Sequence, residues 1–435
     1  MASTHVARRD APSGWLRLLP EPPPARPLRG DHVADAVVVG AGFTGLAAAR
    51  RLAELRPGSR VVLLEADRVG AGPSGRNSGF VIDQPHNVDA LDVEDLAANR
   101  RVKRLAQAGL GELKALVERH GISCGWSEAG KLHAAVGPRG EAELGALSRG
   151  LEKLGEPHHR LDGEQLGEIV GTRYYSAGLF TPGCVLVQPA ALVRGLAEVL
   201  PDGVELHEDS PVAQLESSDG GWRIQTPAGS VHAPRVVLAT DAYTRRLGLL
   251  RDRLVPIYTY ASLTRPLGPT EVGGRTGWGL LPAHKAGTTL RRLDDGRLLV
   301  RNSFRYGGDF RCTGAHLERA RRRHLAALTA RYPALRPDDV QFTWGGVVCF
   351  TRNFSPFFGE VERGLHAAVG TNGVGLSKGT IAGRLVAELA LGERSALLDD
   401  LLAFPPPARV PPYPFLGMGV RARIAWEEHA AGDER

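Results

Sequence analysis

The sequence predicts an α/β fold in two parts: a parallel, helix-covered sheet, and a second α+β part on a mainly antiparallel sheet. Three stretches predict it. In the first, Asp35 to Gly79, an apolar β-branched run (Ala36 to Val39) leads into Gly40, Gly42 and Gly45 at GxGxxG spacing. A helical pattern follows, with Leu46, Ala49, Leu52 and Ala53 on one face, and then a second apolar run, Val61 to Leu64, ending on Glu65. In the second stretch, Ala367 to Leu391, strand, glycine-rich turn and helix recur in that order, closed by Gly392. In the third, Thr288 to Leu293 and Arg297 to Ser303 flank Asp294-Asp295-Gly296, a hairpin signal.

The first stretch is a Rossmann-type dinucleotide unit, and each part has a physical reason. Gly40 permits the tight turn, Gly42 lets backbone approach a pyrophosphate, and Gly45 lets the helix sit close to the strand. The amides opening the helix at Phe43 and Thr44, with the helix dipole, suit phosphate. Glu65 lies at the distance expected of a carboxylate accepting from ribose hydroxyls, which favours NAD or FAD over NADP. A glycine-rich turn alone is weak evidence; here strand, helix, second strand and acid accompany it.

Glu65-Ala66, Val69-Gly70 and Ser74-Gly75-Arg76-Asn77-Ser78-Gly79-Phe80 continue with small and polar residues. This run resembles the flavin loop of the D-amino-acid oxidase-like family of FAD-dependent oxidoreductases, within it the γ-glutamylputrescine oxidoreductase branch. The resemblance extends from about Trp15 to about Pro412. It implies a Rossmann-type FAD-binding domain, non-covalent FAD, and oxidation of an amine C–N bond by hydride transfer to flavin N5, the imine then hydrolysing. A polyamine derivative or amino-acid-like amine is the implied substrate, with O2 or another acceptor reoxidising the flavin. Two alternatives stay open: a biosynthetic FAD oxidoreductase acting on another C–N or C–O bond, and a non-catalytic flavin-binding protein.

In chain order, residues 1–32 are polar and then proline-rich, an expected extended lead-in that Trp15 can anchor. The FAD domain is expected over 33–90, 184–250 and 340–403, the substrate domain over 91–183 and 251–339, and a tail over 404–435. After Phe80 the resemblance carries the chain past the flavin ring, making His86 a candidate substrate-side residue. Asp92 to His120 has a helical apolar face. Val204 to His207 and Pro211 to Leu215 are expected strands returning to the dinucleotide domain; the resemblance puts the Val212 backbone at the adenine. Trp222 to Thr226 and Ser230 to His232 form a hairpin. Arg235 to Thr244 is similar to the family's second flavin motif, with Ala239 and Thr240 at the close approach. The arginines at 291, 292, 301 and 305 alternate along strands, and Arg292 is the candidate for a substrate carboxylate. His316 to Tyr332 is an expected surface helix.

Thr343-Trp344-Gly345-Gly346 resembles the family's segment near the flavin, which makes Gly346 a cofactor contact and Trp344 a candidate catalytic residue. Gly370, Asn372, Gly373, Val374, Gly375 and Leu376 form the last glycine turn. Amides and a positive helix end there favour the reduced, anionic flavin. In sarcosine oxidase-type relatives a lysine after this turn binds substrate carboxylate. Ser377 holds that place here and Lys378 is turned about 100° away, which favours a longer amine over a simple N-methyl amino acid.

Composition excludes other classes. Net charge is +6, from scattered arginines, with no basic block interleaved with aromatics, so nucleic acid is not expected. The cysteines at 124, 184, 312 and 349 form no CxxC pair and no metal-ligand spacing. Cys349 does not align cleanly with the position that bonds flavin in some relatives. No apolar run reaches membrane-spanning length, no signal peptide is evident, and a reduced cytoplasm is the expectation. Nothing fixes the oligomeric state.

Overall fold

A computed structural model describes residues 11–84 and 95–435. The central sheet has six strands in the order Phe357–Glu362, Leu365–Val369, Val236–Leu238, Ala36–Val39, Val61–Leu64, Val204–His207. Five run parallel and Phe357–Glu362 is an antiparallel edge. The inner strands are buried on both faces, which is why they are near-continuous Val and Leu. Val38, Leu63 and Val237 pack under the helices Phe43–Leu55 and Ser377–Ala390. Val37, Val39, Val62 and Leu64 pack against a small sheet through Trp222, Ile224 and Val231.

That small sheet corrects two expectations. Its order is Gly30–Val33, Gly229–Ala233, Gly221–Gln225, Gln214–Ser218. The segment expected to return near Pro211 to Leu215 instead forms its edge at Gln214–Ser218. A run holding Leu215 among Gln214, Glu216, Ser217 and Ser218 cannot fill a position buried on both faces. The lead-in is also not merely extended. Gly30–Val33 pairs in parallel with Gly229–Ala233. Ser13 caps a one-turn helix, Gly14–Arg17, that buries Trp15 completely.

The outer sheet has eight strands: Val340–Thr351, Leu254–Thr264, Leu298–Tyr306, Thr289–Arg292, Trp278–Pro282, Lys131–Ala135, Ala177–Thr181, His159–Asp162. All neighbours are antiparallel except Trp278–Pro282 with Lys131–Ala135, where two excursions of the chain meet. Val340–Thr351, expected with the dinucleotide domain, is hydrogen-bonded here to Leu254–Thr264. Helix Leu96–His120, expected with the substrate domain, sets Leu113, Leu116 and Val117 among the core residues of the central sheet. Helix Gly314–Arg331 buries Ala320, His324, Ala327, Leu328 and Arg331, so it is less superficial than its basic sequence suggests. The tail forms a helix, Phe415–Ala430. Beyond it Arg331 and the Thr288 amide donate to the Glu434 carbonyl at 2.9 and 2.7 Å, fastening the chain end to the outer sheet. Among the described residues no helix is long and apolar enough to cross a membrane.

Candidate active site

The first corner forms where Ala36–Val39 meets Gly40, whose φ is +100°. A Cβ on Gly45 would lie 1.7 Å from the Gly40 carbonyl oxygen, so only glycine lets this helix begin so close to its strand. Helix Phe43–Leu55 starts at Gly42 without a side-chain cap, and helix Ser377–Ala390 starts at Leu376 without one. Helix starts leave N–H groups free for a ligand. These two starts are locked together, since a Cβ on Gly383 would lie 2.0 Å from the Thr44 carbonyl oxygen and one on Gly379 3.0 Å from Thr44 Oγ1.

Glu65 turns its carboxylate back to the turn, accepting from the amides of Ala41 (2.8 Å) and Asp67 (3.2 Å). Burial pushes its pKa up and those two amides offset part of the rise. Ala66 beside it is exposed. The Ser210 amide donates to the Glu65 carbonyl at 2.8 Å, bringing the segment that leads to half-buried Val212 alongside.

The loop Ser74 to Gly79 is held from several sides. Ser74 Oγ accepts from the Phe43 amide at 3.3 Å and occupies the space a Cβ on Gly42 would need. Asn77 donates to the Ser74 carbonyl (2.7 Å) and accepts from the Gly79 amide (2.9 Å). Arg76 donates to the carbonyls of Ala71 (2.6 Å) and Gly345 (2.9 Å). Gly346 lies against it, its Cβ position 3.3 Å from the Arg76 Cβ. Trp344 is buried, its indole donating to the Arg76 carbonyl at 2.9 Å and its ring edge-on to Trp15 at 6.5 Å. Those contacts brace the loop and occupy the residue proposed for catalysis.

The second motif brings in a residue that sequence reasoning missed. The Ala239 amide donates to the Val39 carbonyl at 2.9 Å, and Thr240 bonds Thr244 at 2.8 Å. Asp241, at φ +44°, then accepts from the amides of Gly370 (2.9 Å), Thr371 (3.4 Å) and Cys349 (3.1 Å). Burial raises its pKa and the amides counter part of that. The signal was present as the middle residue of Ala-Thr-Asp-Ala-Tyr. Asn372, at φ +53°, ties the last turn to Phe354 and Gly370 through its amide (2.8 Å each) and accepts from Thr351 N at 2.9 Å. Gly373 and Gly375 meet nothing closer than 3.7 Å at their Cβ positions, leaving that rim open. Val374 and Leu376 are buried beside it.

The arginine pair divides. Arg291 faces the flavin-loop side, donating to the carbonyls of Ser78 (3.3 Å), Gly79 (3.5 Å) and Val187 (2.5 Å). Burial lowers its pKa to about 10. Arg292, one residue on, points to the other face of the sheet and donates to the Leu267 carbonyl at 3.1 Å. The substrate-carboxylate role expected of Arg292 is therefore not supported by its position, since strand alternation puts Arg291 on the loop side. His86 lies outside the described residues. Cys349 packs among Leu254, Tyr258, Val347 and Val369, and burial pushes its thiol well above the usual range.

Two uncapped helix starts, an acid at the ribose distance and a loop of small residues fit a dinucleotide lying across both corners, and they define a flavoprotein-type site. The model of the FAD-dependent oxidoreductase (DAO) family matches residues 35–389. The chain belongs to that family, whose members bind FAD. It is 27% identical over 391 residues to γ-glutamylputrescine oxidoreductase of Escherichia coli, covering 88% of each chain. It is 30% identical over 404 residues to a probable oxidoreductase OrdL of Rhizobium meliloti, covering 90% of each. Glycine oxidase of Geobacillus kaustophilus superposes with a TM-score of 0.69 at 24% identity, over 84% of this chain and 96% of that one.

Proposed function

We propose that this enzyme oxidises the C–N bond of an amine, a polyamine derivative or an amino-acid-like compound, and passes the electrons to O2 or another acceptor. The observation that carries the reading is the pair of uncapped helix starts fixed by the Thr44–Gly383 contact, with Asp241 holding the turn at Gly370 that leads to the second. The start of helix Phe43–Leu55, at Gly42 and Thr44, would hold the pyrophosphate and Glu65 the ribose. The Ser377 helix start and the turn Gly370 to Leu376 would face the flavin's pyrimidine edge. When bound, FAD supplies a two-electron acceptor for the carbon next to nitrogen, and the imine product hydrolyses in water. The chain's own groups position and polarise; Arg291 stays cationic at neutral pH and holds the loop carbonyls. Four free cysteines, three of them buried, suit a reducing cytoplasm.

The test is anaerobic mixing of the yellow protein with a panel of amines. Bleaching of the flavin by an amine supports the reading, and retention of full colour with every amine removes it. Peroxide formed on readmitting air separates oxidase from dehydrogenase.

A further inference from the structure

The tail closes over the outer sheet as helix Phe415–Ala430. Its inner face sets Leu416, Val420 and Ile424 against Val255, Ile257 and Phe350. Phe350 joins this cluster to the last glycine turn, its ring 3.7 Å from the Cβ position of Gly373. The outer face is apolar as well. Phe415, Met418 and Trp426 stand exposed along it, with exposed Ala422 between them. At 3.6 residues per turn these four fall within an arc of about 80°, a stripe about 16 Å long. Tyr413 precedes the stripe, and Phe354 stands edge-on to Phe350 beside it, ring centroids 6.4 Å apart. The large apolar side chains among them, Tyr413, Phe415, Met418, Trp426 and Phe354, are 54% to 90% exposed. Exposed apolar side chains gathered in this way mark an interaction surface.

Charge is arranged around the stripe. Arg421 and Arg423 are exposed and flank Ala422, each turned about 100° from it to opposite sides. The acids of the helix turn inward: Glu427 meets Lys285 at 3.0 Å and Glu428 meets Arg323 at 3.4 Å, each acid side chain 11% exposed. Asn353 bonds the Pro406 carbonyl at 3.1 Å and the Ala408 amide at 3.0 Å, bringing the segments of exposed Arg352 and Arg409 to one rim.

We infer that the outer face of this helix docks on an anionic lipid surface. Phe415, Met418 and Trp426 enter the headgroup region, and Arg421 and Arg423 reach lipid phosphates on either side. An apolar stripe between cationic flanks, with an amphipathic aromatic ring in the stripe, is the form of a helix lying in a membrane interface. A second copy is the competing occupant. A two-fold contact of this patch with itself would set Arg421 and Arg423 against their own equivalents, which like charge opposes. A lipid surface offers both apolar depth and negative charge, and the net charge of +6 acts in the same direction. The inference goes beyond the proposed reaction and holds whichever amine is oxidised.

The experiment sediments the FAD-loaded full chain with vesicles of phosphatidylcholine alone and of equal parts phosphatidylcholine and phosphatidylglycerol. The mixed vesicles should be bound at least about tenfold more tightly, and less so as salt rises. Trp426→Ser and Phe415→Ser should each weaken that binding about tenfold. Arg421→Gln and Arg423→Gln should each weaken it about fivefold, on the mixed vesicles alone. These side chains are exposed, and the flavin spectrum of each variant checks that its fold is intact. Val33→Ser, at an exposed position on the small sheet, is the control and should bind as the wild type does. Tryptophan emission should shift to the blue on mixed vesicles in the wild type and stay in place in Trp426→Phe, which still sediments. Absence of binding to either vesicle, equal binding to both, or binding unchanged in all four variants overturns the inference. So does a dimer in vesicle-free protein that Trp426→Ser and Phe415→Ser dissociate, which gives the face to a second copy.

Discussion

Replacing Gly383 by alanine should loosen the joint on which cofactor binding depends. The added Cβ would meet the Thr44 carbonyl oxygen at 2.0 Å, its carbon at 2.8 Å and its Cα at 3.0 Å, all backbone atoms that cannot rotate away. Optimal contact lies near 3.5–4.0 Å, so helices Phe43–Leu55 and Ser377–Ala390 must part by on the order of 1 Å. Overpacking of this kind costs about 1–3 kcal/mol, offset by up to about 1 kcal/mol of helix propensity. Moving one helix start off its ligand removes about 0.3–2 kcal/mol of amide and dipole interaction, up to roughly thirtyfold in FAD dissociation constant. The assay is FAD titration of stripped protein by fluorescence quenching, with urea unfolding of the same samples. Gly111 is the control: it lies mid-helix and exposed, with nothing within 4 Å of its Cβ position. Gly111→Ala should add about 0.5–1 kcal/mol of stability and leave FAD affinity alone. If Gly383→Ala behaves like Gly111→Ala, the two helix starts do not act as one cradle.

Asp241→Ala removes the acceptor for three amides and should weaken FAD binding at least about tenfold by freeing the turn at Gly370, at about 1.5–3 kcal/mol per bond to a charged group; unchanged affinity by titration would remove its bridging role. Arg291→Met should lower FAD affinity, whereas Arg292→Met should reduce stability alone, because only Arg291 reaches the carbonyls of Ser78 and Gly79; equal FAD affinities in the two variants count against the division. His324 is buried and bonded through Nδ1 to Ser262 at 2.8 Å, with burial first and then Arg301 and Arg323 lowering its pKa from 6.5 to about 3. Below pH 6.5 the unfolded chain binds the proton and the folded chain does not, so stability falls with pH by about 1.4 kcal/mol per unit down to the folded value. Glu112 and Glu434, both raised to about 7, pull the opposite way but are common to wild type and His324→Asn. The stability gap between the two proteins should therefore shrink by about 2 kcal/mol from pH 6.5 to 5; a gap independent of pH would mean that His324 titrates normally.

The central sheet was legible because its rules are local. Ala36–Val39 and Val61–Leu64 are apolar on every residue, and a parallel strand covered on both faces demands that. Where a strand has one buried face, the sequence names the strand but not its partner. The strand expected at Pro211 to Leu215 lies at Gln214–Ser218, since its place is fixed by pairing with Gly221–Gln225, its hairpin neighbour. The lead-in shows the same limit: Trp15 finds its place only because Trp344, the Asn77 carbonyl and Arg291 come together around it from distant positions. No pattern within residues 11–33 encodes that.

The site divides along a similar line, and the reason lies in what holds the cofactor. Glycines at 40 and 45 are conspicuous in sequence because the requirement is an absence, and a side chain at either position would collide with backbone. Asp241 and Asn372 are the converse. They grip backbone amides and carbonyls of other segments, and nothing in their own neighbourhoods announces the partners. Substrate recognition is harder still, because neighbouring side chains on one strand face opposite ways. Arg291 and Arg292 are indistinguishable as letters, yet one faces the loop and the other the far side of the sheet. A one-residue error in register exchanges their roles completely. The cofactor is thus specified by backbone geometry, which glycine spacing reports, while the substrate is specified by side-chain facing, which only the paired sheet decides.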